Sequence, residues 1–260
     1  MIPKTIHYCW FGGNPLPDSA LKCIASWKRY CPDYEIVEWN ENNFDINCCN
    51  YVKEAYQAGK WAFVSDYARF KILYECGGLY FDTDVEIIKP LDDIVMKGNF
   101  MGRENNPKFS VAPGLGLGAT AGLDIYKKIL DKYDELHFLN NDGTFNLKTV
   151  VDYTTEILTI YGLNANNKIS QIANINIYPY EYFCPINYNT GEITLTPNTH
   201  SIHHYSASWY SPTQRYALDL KRKYGKFLPH KIAAICATAM SITKYEGFNA
   251  CLKWILKKRR

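Results

Sequence analysis

The sequence lacks the features that mark membrane-spanning or disulfide-bonded proteins. No stretch reaches the roughly 20 consecutive apolar residues that cross a bilayer. The nine cysteines are odd in number and include no C-x-x-C pair, whereas disulfide-bonded scaffolds are shorter and denser in cysteine. The opening residues, MIPKTIHYCWFGG, contain neither the apolar core nor the small-residue cleavage site of a secretory signal. We therefore expect reduced thiols and a cytoplasmic protein.

Acidic residues are almost missing from the end of the chain. Residues 221–260 carry eleven Lys and Arg but one acid, Glu246, whereas the preceding residues carry 18 basic and 25 acidic side chains. Nucleic-acid-binding domains have basic charge spread over the fold, so we expect no nucleic-acid partner. We interpret residues 216–260 as a basic amphipathic helical segment that contacts the anionic inner face of the cell membrane, where each basic residue contributes about 1 kcal/mol. The alternative is a set of helices packed on the body of the protein with a solvated basic end.

The sequence also has no dinucleotide-binding fingerprint. Residues 110–118, SVAPGLGLG, contain three alternate glycines, but not the spacing G-x-G-x-x-G at the start of a helix. We interpret this segment as a strand that another backbone approaches closely.

Strand and helix patterns alternate along the first part of the chain. Residues 2–13 predict a buried strand closed by two glycines, residues 18–29 follow the helical period, and residues 34–39 alternate as a second strand. With 260 residues, 47% of them hydrophobic, the chain is long enough for a sizeable core. These features predict an α/β fold.

Residues 61–90 predict a helix, a Gly-Gly break, a short buried strand and a pair of acids. Ser65 is a candidate N-cap, and Gly77 and Gly78 are expected to end the helix. Asp66 and Arg69 lie three residues apart, on one helix face. An acid and a base on one face indicate that this face lines a polar cleft.

Asp82 and Asp84 follow directly after the apolar residues 79–81. Open α/β sheets bind ligands at the carboxyl ends of their strands. Two neighbouring carboxylates repel each other, and Mg²⁺ or Mn²⁺ relieves that repulsion because both ions prefer oxygen ligands. An isolated Asp-x-Asp is more often a solvated turn, so its sequence context decides the interpretation.

That context resembles a known family. The order A-x-x-S-D-x-x-R-x-x-x-L-x-x-x-G-G-x-Y-x-D-x-D is similar to the signature of the sugar transferases with a DXD motif, glycosyltransferase family 32. This family includes fungal Golgi mannosyltransferases and bacterial capsule transferases, and the glucosylating domains of large clostridial toxins resemble it in this motif. The matching residues are Ala62, Ser65, Asp66, Arg69, Leu73, Gly77, Gly78, Tyr80, Asp82 and Asp84.

The resemblance implies a fold and an activity. We expect residues 1–215 to form a GT-A-type catalytic domain with a central mixed, mostly parallel sheet flanked by helices. The implied enzyme is a metal-dependent, retaining hexosyltransferase that uses Mn²⁺ or Mg²⁺ and a nucleotide-sugar, with a UDP-sugar favoured. Its acceptor would be a glycan or a lipid-linked glycan in surface polysaccharide synthesis.

The resemblance also implies roles for the residues of the motif. Asp84 would be the direct metal ligand, and Asp82 would bind ribose, the sugar, or the metal through water. Arg69 would contact a phosphate or the sugar with its planar fork of donors, and Asp66 would accept hydrogen bonds from sugar hydroxyls. Tyr80 would belong to the same donor-binding surface.

Three further candidates lie outside the motif. Trp10 ends the segment IPKTIHYCWFGG, which resembles the start of these transferases, and its ring would stack on the nucleobase; a core tryptophan is the alternative. Asn40, in the turn after the second strand, is a weaker candidate for a nucleoside contact. His204 begins the pattern H-x-x-x-S-W, from which the resemblance implies a metal ligand or phosphate contact. His203 fits nearly as well, and histidines of a surface turn are a further interpretation.

Two other functions remain open at this point. A metal-dependent phosphodiesterase-type hydrolase would use the same acids, but a two-metal site needs a second set of ligands, and one acidic pair is evident. A non-catalytic carbohydrate-binding module would have no need for both Asp82 and Asp84.

Overall fold

The computed structural model describes residues 1–206 and 211–258. The chain divides into two compact units. The first consists of Met1–Pro185 and Leu195–His204, and the second of Ile186–Thr194 and the residues from Tyr205 onward.

The first unit contains nine strands and seven helices. The strands are Thr5–Cys9 (β1), Glu35–Trp39 (β2), Gly78–Tyr80 (β3), Val85–Ile87 (β4), Phe100–Gly102 (β5), Leu117–Ala119 (β6), Ser170–Ile172 (β7), Ile175–Tyr178 (β8) and Ser201–His203 (β9). The helices are Asp18–Tyr30 (α1), Asn50–Gln57 (α2), Trp61–Cys76 (α3), Asp92–Val95 (α4), Asp124–Asp134 (α5), Val150–Ile160 (α6) and Tyr180–Phe183 (α7).

Seven of these strands form one sheet in the order β2-β1-β3-β6-β5-β8-β7. The pairs β2–β1, β1–β3 and β5–β8 are parallel, whereas β6 is antiparallel to both of its neighbours and β7 is antiparallel to β8. Five strands therefore run in one direction, and β6 and β7 run in the other. The predicted α/β architecture with a central mixed, mostly parallel sheet is confirmed.

Helix α3 lies at the centre of the first unit, and most of its side chains are buried. It begins at Trp61 after Lys60, which makes no capping hydrogen bond through its side chain. The prediction that Ser65 caps the helix is wrong, because Ser65 lies in the second turn and its hydroxyl donates to the carbonyl oxygen of Trp61 at 3.1 Å. The predicted end is confirmed: Gly77 follows the helix with a φ of +67°, a conformation that glycine adopts without strain.

The second sheet of this unit pairs β4 with β9 in antiparallel fashion, with Val85 opposite His203 and Glu86 opposite Ile202. Helix α1 holds β4 in place from one side. The indole N–H of the fully buried Trp27 donates to the carbonyl oxygen of Val85 at 2.7 Å. The β4 end of the turn between β3 and β4 is thus anchored by both α1 and β9.

The second unit contains the helices Pro212–Gly225 (α8), His230–Glu246 (α9) and Phe248–Lys258 (α10). A capping box starts α8: the hydroxyl of Ser211 accepts from the backbone N–H of Gln214 at 3.2 Å, and the side chain of Gln214 accepts from the N–H of Ser211 at 2.9 Å. Pro212 occupies the first helical position, which needs no N–H donor. The predicted division between residues 215 and 216 falls in the first turn of this helix.

The state of the cysteines and the length and polarity of the helices can be compared with the expectations from composition. None of the nine cysteines, all of which lie in described parts of the chain, forms a disulfide. Within residues 1–206 and 211–258, every helix is too short or too polar to cross a membrane.

Candidate active site around Asp82, Asp84 and His203

The carboxyl ends of three adjacent parallel strands carry three of the predicted site segments. Cys9 pairs with Trp39, and His7 pairs with Tyr80, so β1, β2 and β3 end at the same edge of the sheet. Trp10 follows β1, Asn40 follows β2, and the aspartate pair follows β3. The strand register therefore places these three segments at one edge of the sheet.

Asp82, Asp84 and His203 form a cluster of potential metal ligands. One ligand atom from each residue lies within 4.8 Å of the other two. The imidazole Nε2 of His203 lies 3.1 Å from Oδ1 of Asp84, and both side chains are largely buried. Two carboxylates and one imidazole are a donor set that suits a divalent cation such as Mn²⁺.

The structure places His203, rather than His204, beside the aspartates. His203 lies opposite the fully buried Val85 in the antiparallel pair β4–β9, so both side chains are on the buried face of this small sheet. His204 is on the other face, where its Nε2 lies 2.8 Å from Oε2 of the exposed Glu86. The assignment made from the H-x-x-x-S-W pattern thus differs from the geometry by one residue. Ser208 and Trp209 of that pattern lie outside the described residues.

The guanidinium of Arg69 connects the helix to the aspartate turn. Its Nε donates to the carbonyl oxygen of Ser65 at 3.0 Å, its Nη2 lies 2.9 Å from Oδ1 of Asp66, and its Nη1 lies 3.3 Å from Oδ1 of Asp82. The side chain is 4% exposed. The face of α3 that we expected to line a polar cleft therefore carries a largely buried ion-pair network, which orients Asp82.

Tyr80 supports the same network from β3. Its ring lies under the guanidinium of Arg69, with 4.9 Å from Cζ to the ring centroid, and its hydroxyl donates to Oδ1 of Asp82 at 3.1 Å. Burial raises the pKa of this hydroxyl well above its ordinary value, so the group stays a hydrogen-bond donor. Tyr80 thus fixes one carboxylate oxygen of Asp82, and the other, Oδ2, lies 3.5 Å from Nη1 of Arg69.

The surroundings of the site raise the pKa of two of its titratable groups, the carboxyl of Asp66 and the imidazole of His203. Burial raises the pKa of the Asp66 carboxyl to about 7, in spite of the opposing charge of Arg69. For His203, burial lowers the pKa, but the charge of Asp84 and the hydrogen bond to it outweigh that effect, and the net result is a raised pKa. The carboxyl of Asp66 and the imidazole of His203 therefore each hold a proton to higher pH than they would in water.

Gly114 is a site residue that the sequence analysis missed. Its carbonyl oxygen accepts from the backbone N–H of Asp82 at 3.1 Å. A Cβ atom at this position would lie 2.0 Å from Oδ2 of Asp82 and 3.2 Å from Nη1 of Arg69. The carboxylate of Asp82 therefore occupies the space that any side chain at position 114 would need.

The alternate glycines of residues 110–118 were the signal for this close approach. We expected another backbone to approach them, but the nearest atoms are those of side chains. The ring of Phe81 lies 2.8 Å from a Cβ built on Gly116, and the ring of Phe100 lies 2.1 Å from one built on Gly118. The three glycines make room for the turn and for the aromatic core beneath it.

Trp10 and Asn40 are at the sheet edge but make only local contacts. The indole N–H of the half-buried Trp10 donates to the carbonyl oxygen of Asn14 at 2.6 Å, which fixes the ring plane and leaves part of the ring exposed. The amide of Asn40 donates to Oε1 of Glu38 at 2.9 Å and accepts from the N–H of Asn42 at 2.9 Å. The side chain of Asn40 is therefore already committed to its own turn.

Part of this site lies in a segment that matches a known protein family. Residues 17–101 match the family described as the glycosyltransferase sugar-binding region containing a DXD motif. This range includes Asp66, Arg69, Tyr80 and both aspartates, so the predicted resemblance to DXD sugar transferases is confirmed. The family match and the mixed sheet agree with the expected GT-A-type fold.

Several individual proteins are similar to parts of the chain. Inositol phosphoceramide mannosyltransferase 1 of Schizosaccharomyces pombe is 30% identical over 111 residues, which are 38% of this chain and 33% of that protein. The chain thus spans about a third of the length of this curated relative. Among solved structures, the PaToxG glycosyltransferase superposes with a TM-score of 0.48 at 19% identity, covering 61% of this chain and 69% of its own. The galactosyltransferase LgtC in complex with donor and acceptor sugar analogues gives a TM-score of 0.43 at 15% identity, with 87% and 98% covered.

Proposed function

We propose that this protein is a metal-dependent glycosyltransferase that moves a hexose from a nucleotide-sugar to a glycan or lipid-linked glycan acceptor. The observation that carries the proposal is the convergence of Asp82 and Asp84, which lie in the segment that matches the DXD family, with His203 from β9, which lies outside that segment. Breaking a sugar–phosphate bond leaves a diphosphate whose negative charge must be stabilised. Asp82, Asp84 and His203 could hold a cation that stabilises this charge, and they lie together at the carboxyl edge of the sheet.

A divalent cation fits the residues that are present. Asp84 and His203 would hold it directly, and Asp82 would complete its surroundings, in agreement with the mixed oxygen and nitrogen donors of the cluster. When bound, such a cation supplies Lewis-acid neutralisation of the leaving diphosphate. We favour Mn²⁺ over Mg²⁺ because an imidazole ligand suits the softer of the two ions.

The remaining groups of the site orient the donor. Arg69 has a rigid fork of donors and is held by Ser65 and Asp66, so it can contact a phosphate or sugar oxygen without further ordering. Asp66, with a pKa of about 7, can both donate and accept a hydrogen bond to a sugar hydroxyl. We propose retention of the anomeric configuration by front-face attack of the acceptor, with the proton passing to the leaving phosphate.

The nucleobase is assigned to the exposed part of the Trp10 ring. Stacking of a base on an aromatic side chain contributes about 1–3 kcal/mol and tolerates every base, so Trp10 alone does not select uracil. We favour a UDP-sugar from the resemblance to the toxin enzymes. The relatives in fission yeast are mannosyltransferases, so a mannose donor belongs in any substrate panel.

A two-metal hydrolase is the second candidate function. Such enzymes hold two ions about 3.5–4 Å apart and need two sets of ligands. Within residues 1–206 and 211–258, the acids, histidines and cysteines form one group with metal-ligand spacing. This single group favours the transferase over the two-metal hydrolase.

The test is a panel of nucleotide-sugars with Mn²⁺, scored for hydrolysis of the donor and for thermal stabilisation of the protein. UDP- and GDP-hexoses are compared in the wild type and in the variant Asp84→Asn. We expect one donor to be hydrolysed slowly by the wild type and left intact by the variant. If no sugar nucleotide stabilises the protein or is cleaved, with or without metal, the proposed function is wrong.

The second unit supports a contact with an anionic membrane surface. On α10, Phe248, Leu252, Ile255 and Leu256 follow the helical period and lie on one face, and each of them is exposed. Residues 221–260 carry eleven basic side chains and one acid, so the charge of this region is complementary to acidic lipid. We propose that α10 lies in the membrane interface with this apolar face in the lipid, at the inner face of the cell membrane.

Vesicle sedimentation tests this contact. The full chain should bind vesicles that contain phosphatidylglycerol and should bind pure phosphatidylcholine weakly. The double substitution Phe248→Ser and Leu256→Ser should release it, whereas the exposed pair Lys127→Gln and Lys128→Gln in the first unit should not. Equal binding of both kinds of vesicle by the wild type and the Phe248/Leu256 variant would contradict the proposal.

A further inference from the structure

The segment Ile186–Thr194 packs tightly on helix α8 within the second unit. A Cβ atom on Gly225 would lie 2.8 Å from the carbonyl oxygen of Asn189, and one on Gly191 would lie 3.2 Å from Cδ of Arg222. The turn is itself fixed by hydrogen bonds of Asn187, whose carbonyl oxygen accepts from the N–H of Gly191 at 2.8 Å. The side chains that this turn presents to α8 are therefore held in defined positions.

Two cations of α8 converge on a pair of tyrosines. The Nζ atom of Lys221 lies 4.5 Å from the ring centroid of Tyr188, and Cζ of Arg222 lies 5.9 Å from that of Tyr205. The two rings touch edge to face, with centroids 5.5 Å apart. Neighbouring residues of a helix point in directions about 100° apart, so Lys221 and Arg222 do not lie side by side on α8. They belong to one cluster because the tyrosine rings that they contact also touch each other.

Neither cation is neutralised by an acid. Within the described parts of the chain, Lys221 and Arg222 form no ion pair with a carboxylate. The Nε and Nη2 donors of Arg222 are buried and have no hydrogen-bond acceptor among the described residues. Burial, and then the charge of Arg222, lowers the pKa of the Lys221 ammonium. Buried donors without acceptors are costly, and an anion would satisfy them with charge-assisted hydrogen bonds.

A cavity of about 550 Å³ lies beside this cluster, with Tyr188 and Lys221 in its wall. The rest of the wall comes mainly from α8 and α9 and combines hydroxyl groups, such as those of Thr238 and Ser241, with apolar side chains such as Leu218 and with one carboxylate, that of Glu246. This volume is within the usual range for small-molecule sites, about 300–1,000 Å³. The cavity can therefore take an organic group of moderate size next to Lys221.

We propose that Lys221 and Arg222 bind the phosphate group of a phosphorylated organic ligand, whose organic part enters the cavity between α8 and α9. This phosphate site does not depend on the proposed transferase function. The guanidinium fork matches two phosphate oxygens, and Lys221 adds a point charge. The two tyrosine rings hold both cations in position, and each ring face also attracts its cation.

The experiment measures phosphate binding by calorimetry without nucleotide-sugar and without metal. The ligands are inorganic phosphate, hexyl phosphate and glucose 6-phosphate, and the proteins are the full-length wild type, Arg222→Gln, Lys221→Gln and the control Lys223→Gln. Lys223 is an exposed lysine of the same helix, so the control loses the same charge outside the cluster. Thermal denaturation establishes that each variant is folded, and Lys221→Gln replaces Arg222→Gln if the latter is not.

We expect saturable phosphate binding by the wild type and by the control, and binding weaker by about tenfold or more in both cluster variants. Tighter binding of hexyl phosphate than of glucose 6-phosphate identifies a lipid-linked phosphate as the ligand class, and the reverse order identifies a glycosyl phosphate. Absence of saturable binding by the wild type, or equal binding by wild type and cluster variants, overturns the proposal. Because no donor is present, that result leaves the test of the transferase function untouched.

Discussion

The imidazole Nε2 of His203 lies 3.1 Å from Oδ1 of Asp84, although the two residues are far apart in the sequence. The antiparallel pairing of β4 with β9 brings them together, since it sets Val85 opposite His203. The backbone continues this pairing by one step, because the N–H of His204 donates to the carbonyl oxygen of Asp84 at 3.0 Å. The register of a short strand pair therefore decides which of two neighbouring histidines enters the site.

The first prediction separates these two histidines. We expect His203→Ala to weaken Mn²⁺ binding by about tenfold or more, because it removes one of three ligands. His204→Ala should leave Mn²⁺ affinity unchanged, since that ring pairs with Glu86 on the other face. Isothermal titration with Mn²⁺ measures both. The reverse order of effects would show that the H-x-x-x-S-W pattern, rather than the strand register, identifies the ligand.

The second prediction concerns the missing side chain at position 114. In Gly114→Ala the new methyl group would overlap Oδ2 of Asp82, so the carboxylate must move away from its present position. We expect a loss of stability of about 1–3 kcal/mol and weaker binding of metal and donor. Urea denaturation and Mn²⁺ titration measure the two effects.

Gly143→Ala is the matched control for this substitution. Gly143 has a φ of +79° and no atom within 4 Å of an added Cβ, so alanine there introduces backbone strain of about 1 kcal/mol and no collision. Its Mn²⁺ affinity should equal that of the wild type. Unchanged metal binding in Gly114→Ala would mean that Asp82 tolerates displacement and does not position the cation.

The third prediction concerns Arg69, which is the cation of a largely buried network. Arg69→Met leaves the carboxylates of Asp66 and Asp82 without their counter-charge, and we expect it to destabilise the protein by about 3–5 kcal/mol. Lys71→Met removes an exposed pair with Glu75 on the same helix and should change stability by less than about 1 kcal/mol. Equal losses in the two variants, measured by urea denaturation, would mean that the network contributes no more than a surface ion pair.

The fourth prediction concerns Asp66 and the dependence of stability on pH. Burial raises the pKa of its carboxyl in the folded protein to about 7, whereas an unfolded Asp titrates near about 3.9. Between these values the folded state binds the extra proton, so the contribution of Asp66 to stability is fully present below about pH 4 and is lost as the pH rises through about 7. The unfolding free energy of the wild type minus that of Asp66→Asn should therefore decrease as the pH rises from about 4 to about 7.

Urea denaturation of both proteins from about pH 4 to about pH 8 measures that difference. A difference that grows with pH would show that Arg69 stabilises the ionised carboxylate more than burial disfavours it. A constant difference would mean that Asp66 titrates alike in the folded and unfolded states.

Much of the fold and of the motif is predictable from local sequence. The helical period, the Gly-Gly break and the apolar residues before Asp82 are local signals, and the structure contains the helix, its end and the strand that they predict. The helix, its end and the strand were predicted correctly for that reason. The ion pair of Asp66 with Arg69 also follows from local spacing, because residues three apart on a helix are neighbours, but its burial does not.

The missed parts depend on contacts between distant segments. His203 reaches Asp84 through strand pairing, and a one-residue change of register would exchange it for His204. Gly114 approaches Asp82 through the fold of a loop whose glycines gave only a general signal. The cluster of Lys221 and Arg222 depends on how the turn at residues 187–191 packs on α8, which no spacing in the sequence encodes.

The most direct test of the account is a titration of Mn²⁺ followed by electron paramagnetic resonance, in the presence of UDP or GDP, for the wild type and for Asp84→Asn. We predict that the wild type removes the signal of free Mn²⁺ more strongly with a nucleoside diphosphate than without it, and that Asp84→Asn removes it weakly in either case. If the wild type and Asp84→Asn bind Mn²⁺ and nucleotide equally well, Asp84 does not hold the cation, and the proposed site is wrong.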